Sequence, residues 1–387
     1  MEAYFDNAAT TKPLECVREI MMKTLTDDYG NPSSKHTKGM DAEQYISDAR
    51  NIIAKTLKCE PKNIIFTSGG TEANNQALIG TALAEKRKGK HIITTVFEHA
   101  SVHEPLIFLE SMGYEVTYLP VTKYGDIDKD ELLLAIRPDT VLVSVMAVNN
   151  EIGSVMDIDN LVREVKAVNP GVVFHVDAIQ AYGKMMLYPK KWNVDLMSAS
   201  SHKIHGPKGA GFLYKADNIK LLPYIYGGGQ EKGMRSGTEN VPAIAGFGCA
   251  AEKAYGNITD NTSHMREIKQ ILIDGILEIP DTFINANPEN SAEYGAPHIV
   301  SASFAGVKSE VLLHALAAEG VYVSSGSACS SNHPGLSGTL KAIGLRNDLT
   351  DSTIRLSISK DNTKEEAEYA VNVLKKHVPV LRKFRSY

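Results

Sequence analysis

Ser200-Ser201-His202-Lys203-Ile204-His205-Gly206-Pro207-Lys208-Gly209 is the stretch on which the reading of this chain turns. Lys203 follows a largely apolar run, Val194-Asp195-Leu196-Met197, and precedes a glycine-rich turn. That pattern predicts an amine at the mouth of a β-strand, flanked by hydroxyls and imidazoles. Twenty-six positions upstream, the β-rich run Val172-Val173-Phe174-His175-Val176 ends in Asp177. A lysine able to form a Schiff base, with an acid placed to keep a pyridine nitrogen protonated, is what pyridoxal phosphate (PLP) chemistry requires.

Working outward, short β-rich runs recur at 63–67, 91–96, 115–119, 141–146, 172–176, 195–197 and 211–214. Most intervals between them are long enough for a helix. Several runs are apolar throughout, as in a sheet covered on both faces. The expected fold class is therefore α/β, with a mostly parallel sheet flanked by helices. Ligands of such sheets bind beyond the strand C-termini, and the chemical residues here repeatedly follow strand ends. After about residue 255 the character changes. Helical periodicity appears at 265–278, 309–319 and 364–377, and short strands are expected at 298–304, 321–324 and 353–358. This predicts a large domain at 14–255 and a smaller α+β domain from 256–387, joined by residues 1–13.

Bulk properties narrow the function. A chain of 387 residues can bury a large core and form two domains. Its 43% apolar and 22% charged composition is ordinary for a globular protein. A formal net charge of -5 gives no basic excess, so nucleic acid is not expected as a direct partner. Met1-Glu2-Ala3-Tyr4-Phe5-Asp6 carries acids and lacks the basic-then-apolar order of a secretory signal. No apolar run approaches membrane-spanning length. The four cysteines, Cys16, Cys59, Cys249 and Cys329, form no C-x-x-C pair and no zinc pattern. Such sparse cysteines suit a reducing compartment, and a cytoplasmic protein is expected.

The remaining motifs each admit two readings. Thr67-Ser68-Gly69-Gly70-Thr71-Glu72-Ala73-Asn74 follows a strand and opens a helix. Gly70 and Thr71 suit a phosphate at a helix N-terminus, or simply an ordinary strand-to-helix turn. His99, in Glu98-His99-Ala100-Ser101, suits stacking on a planar cofactor and proton transfer, or a structural role at a helix start. Asn149 suits a phenolate hydrogen bond or a turn. Asp177, with Gln180 nearby, suits a pyridinium partner or a helix N-cap. Ser200 and His202 suit phosphate binding or turn polarity. The order of these motifs along successive strand ends, finishing at Lys203, is more specific than any one of them.

The whole set resembles the cysteine desulfurases of the NifS/IscS type, PLP enzymes of fold-type I in the class-V aminotransferase superfamily. The resemblance runs nearly end to end. It includes Tyr4-Phe5-Asp6-Asn7-Ala8-Ala9-Thr10-Thr11, Gly30-Asn31-Pro32-Ser33-Ser34, Asn149-Asn150-Glu151-Ile152-Gly153 and Val176-Asp177-Ala178-Ile179-Gln180. Downstream it continues in Arg235-Ser236-Gly237-Thr238-Glu239-Asn240, Ser324-Ser325-Gly326-Ser327-Ala328-Cys329 and Ile354-Arg355-Leu356-Ser357. It implies a seven-stranded sheet with PLP on Lys203, His99 on the ring, Asp177 at the pyridine nitrogen and Gln180 at the phenolic oxygen. Gly70, Thr71, Ser200 and His202 would bind phosphate, joined by Thr238 from the partner subunit of a homodimer. Asn149 and Arg355 would hold the substrate carboxylate. A fixed guanidinium fork suits that last role, although a structural salt bridge is the other reading of Arg355.

Cys329 distinguishes the implied reaction. It lies in a Gly/Ser-rich segment running on to Asn332-His333-Pro334-Gly335-Leu336-Ser337-Gly338, whose composition predicts an exposed loop at about 325–340. Cys16, Cys59 and Cys249 read instead as small core residues. The implied activity converts L-cysteine to L-alanine, with sulfur moving to Cys329 as a persulfide. It would then pass to an acceptor protein such as an iron–sulfur scaffold or a tRNA-thiolation protein. A selenocysteine lyase-like activity and another aminotransferase-superfamily reaction are the alternatives. One departure is His205, where the family often carries an aromatic residue.

Overall fold

The computed structural model describes residues 1–325 and 337–384. In chain order the first elements are β1 (Ala3–Tyr4), α1 (Glu15–Thr26), α2 (Thr37–Thr56), β2 (Ile64–Thr67), α3 (Gly70–Glu85), β3 (His91–Thr95) and α4 (Ala100–Ser111). Next come β4 (Glu115–Leu119), α5 (Lys129–Ala135), β5 (Thr140–Met146), α6 (Ile158–Val168), β6 (Val173–Asp177), β7 (Leu196–Ser200) and β8 (Gly211–Lys215). The chain continues through α7 (Val241–Gly256), α8 (Ile258–Leu277), β9 (Thr282–Ile284), β10 (Ile299–Phe304), α9 (Ser309–Ala318), β11 (Val321–Tyr322) and β12 (Ser324–Ser325). It ends with α10 (Gly338–Ala342), α11 (Asn347–Thr350), β13 (Thr353–Ser357) and α12 (Lys364–Arg382).

The seven expected strands form one sheet in the order β2-β8-β7-β6-β5-β3-β4. All neighbours are parallel except β8, which runs against both β2 and β7. Strands β5, β6 and β7 are buried at every residue. Successive side chains leave a strand on opposite faces, and each face here has its own core. Val143, Phe174 and Met197 enter one core with Phe212 and Phe247. Their neighbours Leu142, Val173 and Leu196 enter another, with Leu78 and Leu106. That is why these strands read as apolar runs rather than alternations.

A second region is built on the antiparallel sheet β12-β13-β10-β9. Its core joins Leu272 of α8, Phe304, Leu316, Leu356 and Leu374 of α12 to Phe5 near the N-terminus. Residues Ala3 and Tyr4 pair in parallel with Val321 and Tyr322. The single strand expected at 321–324 is thus two short ones: β11 pairs with β1, and β12 pairs with β13. Strand β9 has only three residues, too few to show a period.

Among the described residues, no helix is long and apolar enough to cross a membrane.

Candidate active site

A cleft of about 330 Å³ opens at the C-terminal edge of the seven-stranded sheet, lined by Gly70, Thr71, His99, Asp177 and Gln180. Ser200, His202, Lys203 and Arg355 line it as well. The topology explains the convergence. Strand β2 runs against β8, hence in the direction of β7, so it delivers Gly70 and Thr71 to the same edge as Ser200. Strand β3 delivers His99, and Asp177 is the last residue of β6.

Lys203 lies one short helical turn beyond β7. Its Nζ donates to the carbonyls of Ala8, at 2.5 Å, and Ala9, at 2.7 Å. Hydrogen bonds on either side tie the N-terminal strap to this segment. Thr11 N donates to His202 O at 3.0 Å, and Leu14 N donates to His205 O, also at 3.0 Å. A second lysine, Lys184, is buried and donates from Nζ to the Lys203 carbonyl at 2.7 Å. Burial, with the Lys203 charge adding to it, pushes the Lys184 amine down to about 7.

Asp177 is held on both oxygens. Asn74 Nδ2 donates to Oδ2 at 2.8 Å, and Ile179 N donates to Oδ1 at 3.0 Å. Burial raises its carboxyl above the usual range, while these hydrogen bonds and the His99 and Lys203 charges pull the other way. The same Asn74 amide donates to Ser101 Oγ at 2.9 Å, and that hydroxyl contacts His99 Nδ1 at 2.9 Å. His99 also caps α4, accepting from Ser101 N. Burial lowers the His99 pKa, with Asp177 opposing and Lys203 adding to the shift. Neighbouring Glu98 is buried, and desolvation pushes its carboxyl up to about 8. Its Oε1 accepts from Thr95 Oγ1 and from Met146 N, at 2.7 and 3.0 Å.

Arg355, on β13, reaches the cleft from the second sheet. It donates from NH1 to Asn150 O at 2.7 Å and pairs from NH2 with Asp6 Oδ1 at 2.9 Å. Its Nε is buried without a hydrogen-bond partner among the described residues. The salt-bridge reading of Arg355 is therefore realised, and the guanidinium still lines the cleft.

Asn149, expected at the substrate carboxylate, is buried next to the cleft-lining Asn150. Its Oδ1 accepts from Glu151 N and Ile152 N at 2.8 and 3.0 Å, and its Nδ2 donates to Phe97 O at 3.2 Å. It builds the turn after β5. Thr238 is exposed and does not line the cleft of its own chain. Cys329 and His333 lie outside the described residues. His205 takes a left-handed φ of 66° and contacts Lys12 O through Nδ1 at 2.9 Å, away from the cleft.

The donor set fits PLP. A Cβ on Gly70 would fall 2.2 Å from Ile179 Cδ1, so glycine lets the start of α3 pack against the cleft wall without displacing that side chain. The start of the 16-residue helix lies next to Ser200, where a Gly70 Cβ would be 3.6 Å from Ser200 Cβ, and His202 lines the same cleft. Desolvation and nearby lysines push the His202 imidazole down to about 4, leaving it neutral.

The aminotransferase class-V family model matches residues 3–369. The chain is 41% identical over 379 residues to cysteine desulfurase IscS of Methanosarcina thermophila, covering 98% of this chain and 92% of that protein. It is 43% identical over 384 residues to cysteine desulfurase IscS of Pectobacterium carotovorum subsp. carotovorum (strain PC1), covering 98% and 93%.

The chain belongs to the cysteine desulfurases of the class-V aminotransferase family.

Solved structures agree with this cysteine desulfurase assignment. A NifS-like protein superposes with a TM-score of 0.92 at 36% identity, covering 98% of this chain and all of that one (100%). SspA in complex with cysteine superposes with a TM-score of 0.81 at 33% identity, covering 93% and 100%. The family's enzymes are PLP-dependent, so this cysteine desulfurase is an enzyme of the expected fold-type I.

Several site residues carried no sequence signal of their own. Asn74 and Ser101 lie inside quoted motifs, but nothing in the sequence pairs them with Asp177 and His99. The Ala8 and Ala9 carbonyls act through the backbone, which no residue type announces.

Proposed function

We propose that this cysteine desulfurase acts on L-cysteine with PLP held by Lys203, releasing L-alanine and leaving the sulfur on Cys329. The observation that carries this reading is the convergence of the Lys203 amine, the Asp177 carboxyl, the His99 imidazole and the Arg355 guanidinium on one cleft. When bound, PLP supplies an electron sink that makes the Cα and Cβ positions of an amino acid reactive.

The chain's own residues do the rest. Gly70, Thr71, Ser200 and His202 anchor the phosphate, and Thr238 of a partner subunit joins them. The exposure of Thr238 in its own chain supports that homodimer. Gln180, whose Oε1 is 3.4 Å from His298 Nε2, would hydrogen-bond the phenolic oxygen of the bound cofactor. Asp177 supplies the negative charge that keeps the pyridine nitrogen protonated. Arg355 takes the substrate carboxylate as a fixed fork, and Asn150 lies beside it. Lys203 and His99 carry protons to and from the substrate, and a neutral His99 is ready to accept one. The Cys329 thiolate attacks the substrate sulfur. A sulfur–sulfur bond forms as the Cβ–S bond breaks, and the carbon skeleton takes up protons to leave as L-alanine.

The persulfide sulfur then passes to an acceptor protein, an iron–sulfur scaffold or a tRNA-thiolation protein, in the cytoplasm. We further propose that residues 14–255 form the PLP-binding domain. Residues 1–13 and 256–387 form the domain carrying Cys329. The test is incubation with L-cysteine while alanine and protein-bound persulfide are measured together. Stoichiometric first-turnover appearance of both is expected. Alanine-free transfer of nitrogen to a 2-oxo acid overturns the reading.

A further inference from the structure

Cys16 and Cys249, expected to be core residues, are partly buried against the main core, and their Sγ atoms lie 2.8 Å apart. They are 233 positions apart in the chain, on α1 and α7. Two unbonded sulfurs do not normally pack so closely, and a disulfide needs only about 2.05 Å. The helices meet tightly here. A Cβ on Gly246, one turn before Cys249, would lie 3.2 Å from Val17 Cγ1 and 3.1 Å from Met21 Cγ. Helices α1 and α7 therefore pack closely beside the two cysteines.

From this geometry we propose that Cys16 and Cys249 are a dithiol that closes reversibly to a disulfide, a redox modification site separate from the persulfide chemistry. The pair sits behind the Lys203 segment. Cys16 is two residues past Leu14, whose N donates to His205 O at 3.0 Å. Ala250, next to Cys249, would meet a Cβ on Gly206 at 3.2 Å. Closing the bond ties the N-terminal strap, whose Ala8 and Ala9 carbonyls hold Lys203, to the helix that backs the Lys203 turn.

The oxidant is a small disulfide such as oxidised glutathione. One cysteine thiolate attacks it, breaking its sulfur–sulfur bond and releasing one thiol. The second cysteine then attacks the mixed disulfide, forming the Cys16–Cys249 bond and releasing a second thiol. Two electrons pass to the reagent, and the two cysteine protons end on the two released thiols. Burial and the neighbouring Cys16 thiol push Cys249 up to about 12. Cys249 is therefore a poor first attacker. A small reducing thiol reverses the sequence.

The test treats the PLP-loaded enzyme with oxidised glutathione and maps peptides without reduction. A Cys329→Ser enzyme is run in parallel, so that persulfide chemistry cannot supply the signal. The expected result in both is one peptide pair linked through Cys16 and Cys249, with two fewer titratable thiols. Melting should rise by roughly 5 °C, because the cross-link restrains a long unfolded loop. Dithiothreitol should reverse both changes, and Cys16→Ser should abolish them while keeping activity under reducing conditions. Glutathione retained on either cysteine without the link, a link to Cys59, or no thiol loss in the folded enzyme overturns the proposal. Since the Cys329→Ser enzyme reports independently, failure here leaves the desulfurase reading untouched.

Discussion

The Asn74 amide donates to Asp177 Oδ2 at 2.8 Å, reaching across from α3 to the end of β6. The same amide reaches Ser101, which meets His99. One asparagine therefore sets both the acid under the proposed ring position and the imidazole beside it. In a buried site a carboxyl needs such donors to stay ionised.

Replacing Asp177 with Asn removes the charge and keeps the shape. Alanine formation from L-cysteine should fall at least about 100-fold, the scale of losing one preorganised electrostatic contact. Cofactor content should persist in part. Asn74→Ala should give a smaller loss in the same direction. Near-normal alanine formation by Asp177→Asn would contradict the electron-sink role.

Lys203 is the only lysine whose amine lines the cleft among the described residues. Borohydride reduction of the yellow holoenzyme should fix the cofactor on the peptide containing Lys203. Lys203→Ala should lose the covalent link. Label on Lys184 or Lys208 would sink the assignment.

Arg355→Lys should raise KM for L-cysteine far more than it lowers kcat. A point charge replaces a planar fork already aligned by Asp6 and the Asn150 carbonyl. The expected rise is roughly 10- to 150-fold, equivalent to one charge-assisted hydrogen bond of about 1.5–3 kcal/mol. An unchanged KM would leave Arg355 as a structural ion pair only.

Some of this was legible in the residues and some was not. The β5, β6 and β7 runs announced themselves because both faces of the sheet are covered. Lys203, Asp177 and His99 were legible because each follows a strand end. The hydrogen bonds that hold Asn149 in its turn were not legible, since they run to backbone groups of Phe97, Glu151 and Ile152. Backbone acceptors such as Ala8 O carry no residue signature, and the partner of a buried polar group such as Glu98 depends on tertiary contacts. The division of 321–325 between two sheets was equally hidden, because each strand has only two residues.

The pH dependence of turnover should reflect His99. Burial lowers its pKa, so the neutral imidazole that accepts a proton survives below the usual histidine range. As pH falls through that lowered value, His99 becomes protonated and the rate should drop. The acid limb should therefore lie below the ordinary histidine value of 6.5. His99→Gln should abolish this limb and lower kcat. An acid limb above 6.5 that persists in the His99→Gln enzyme assigns the titration to another group.

Cys329 is expected to carry the persulfide, and its loss should separate cofactor chemistry from sulfur transfer. Cys59 and Cys249 are poorly suited to the task. Burial pushes Cys59 up to about 12, and Cys249 is raised to about 12 by burial and by Cys16. The attacking species must be a thiolate, and thiols held protonated to such high pH attack slowly. Cys329→Ser should bind the cofactor and L-cysteine yet release little alanine, because a serine hydroxyl cannot accept the sulfur productively. Persulfides trapped by alkylation after brief exposure to L-cysteine should map to Cys329. Persulfide found mainly on Cys16, Cys59 or Cys249, or full alanine turnover by the serine enzyme, would overturn this mechanism.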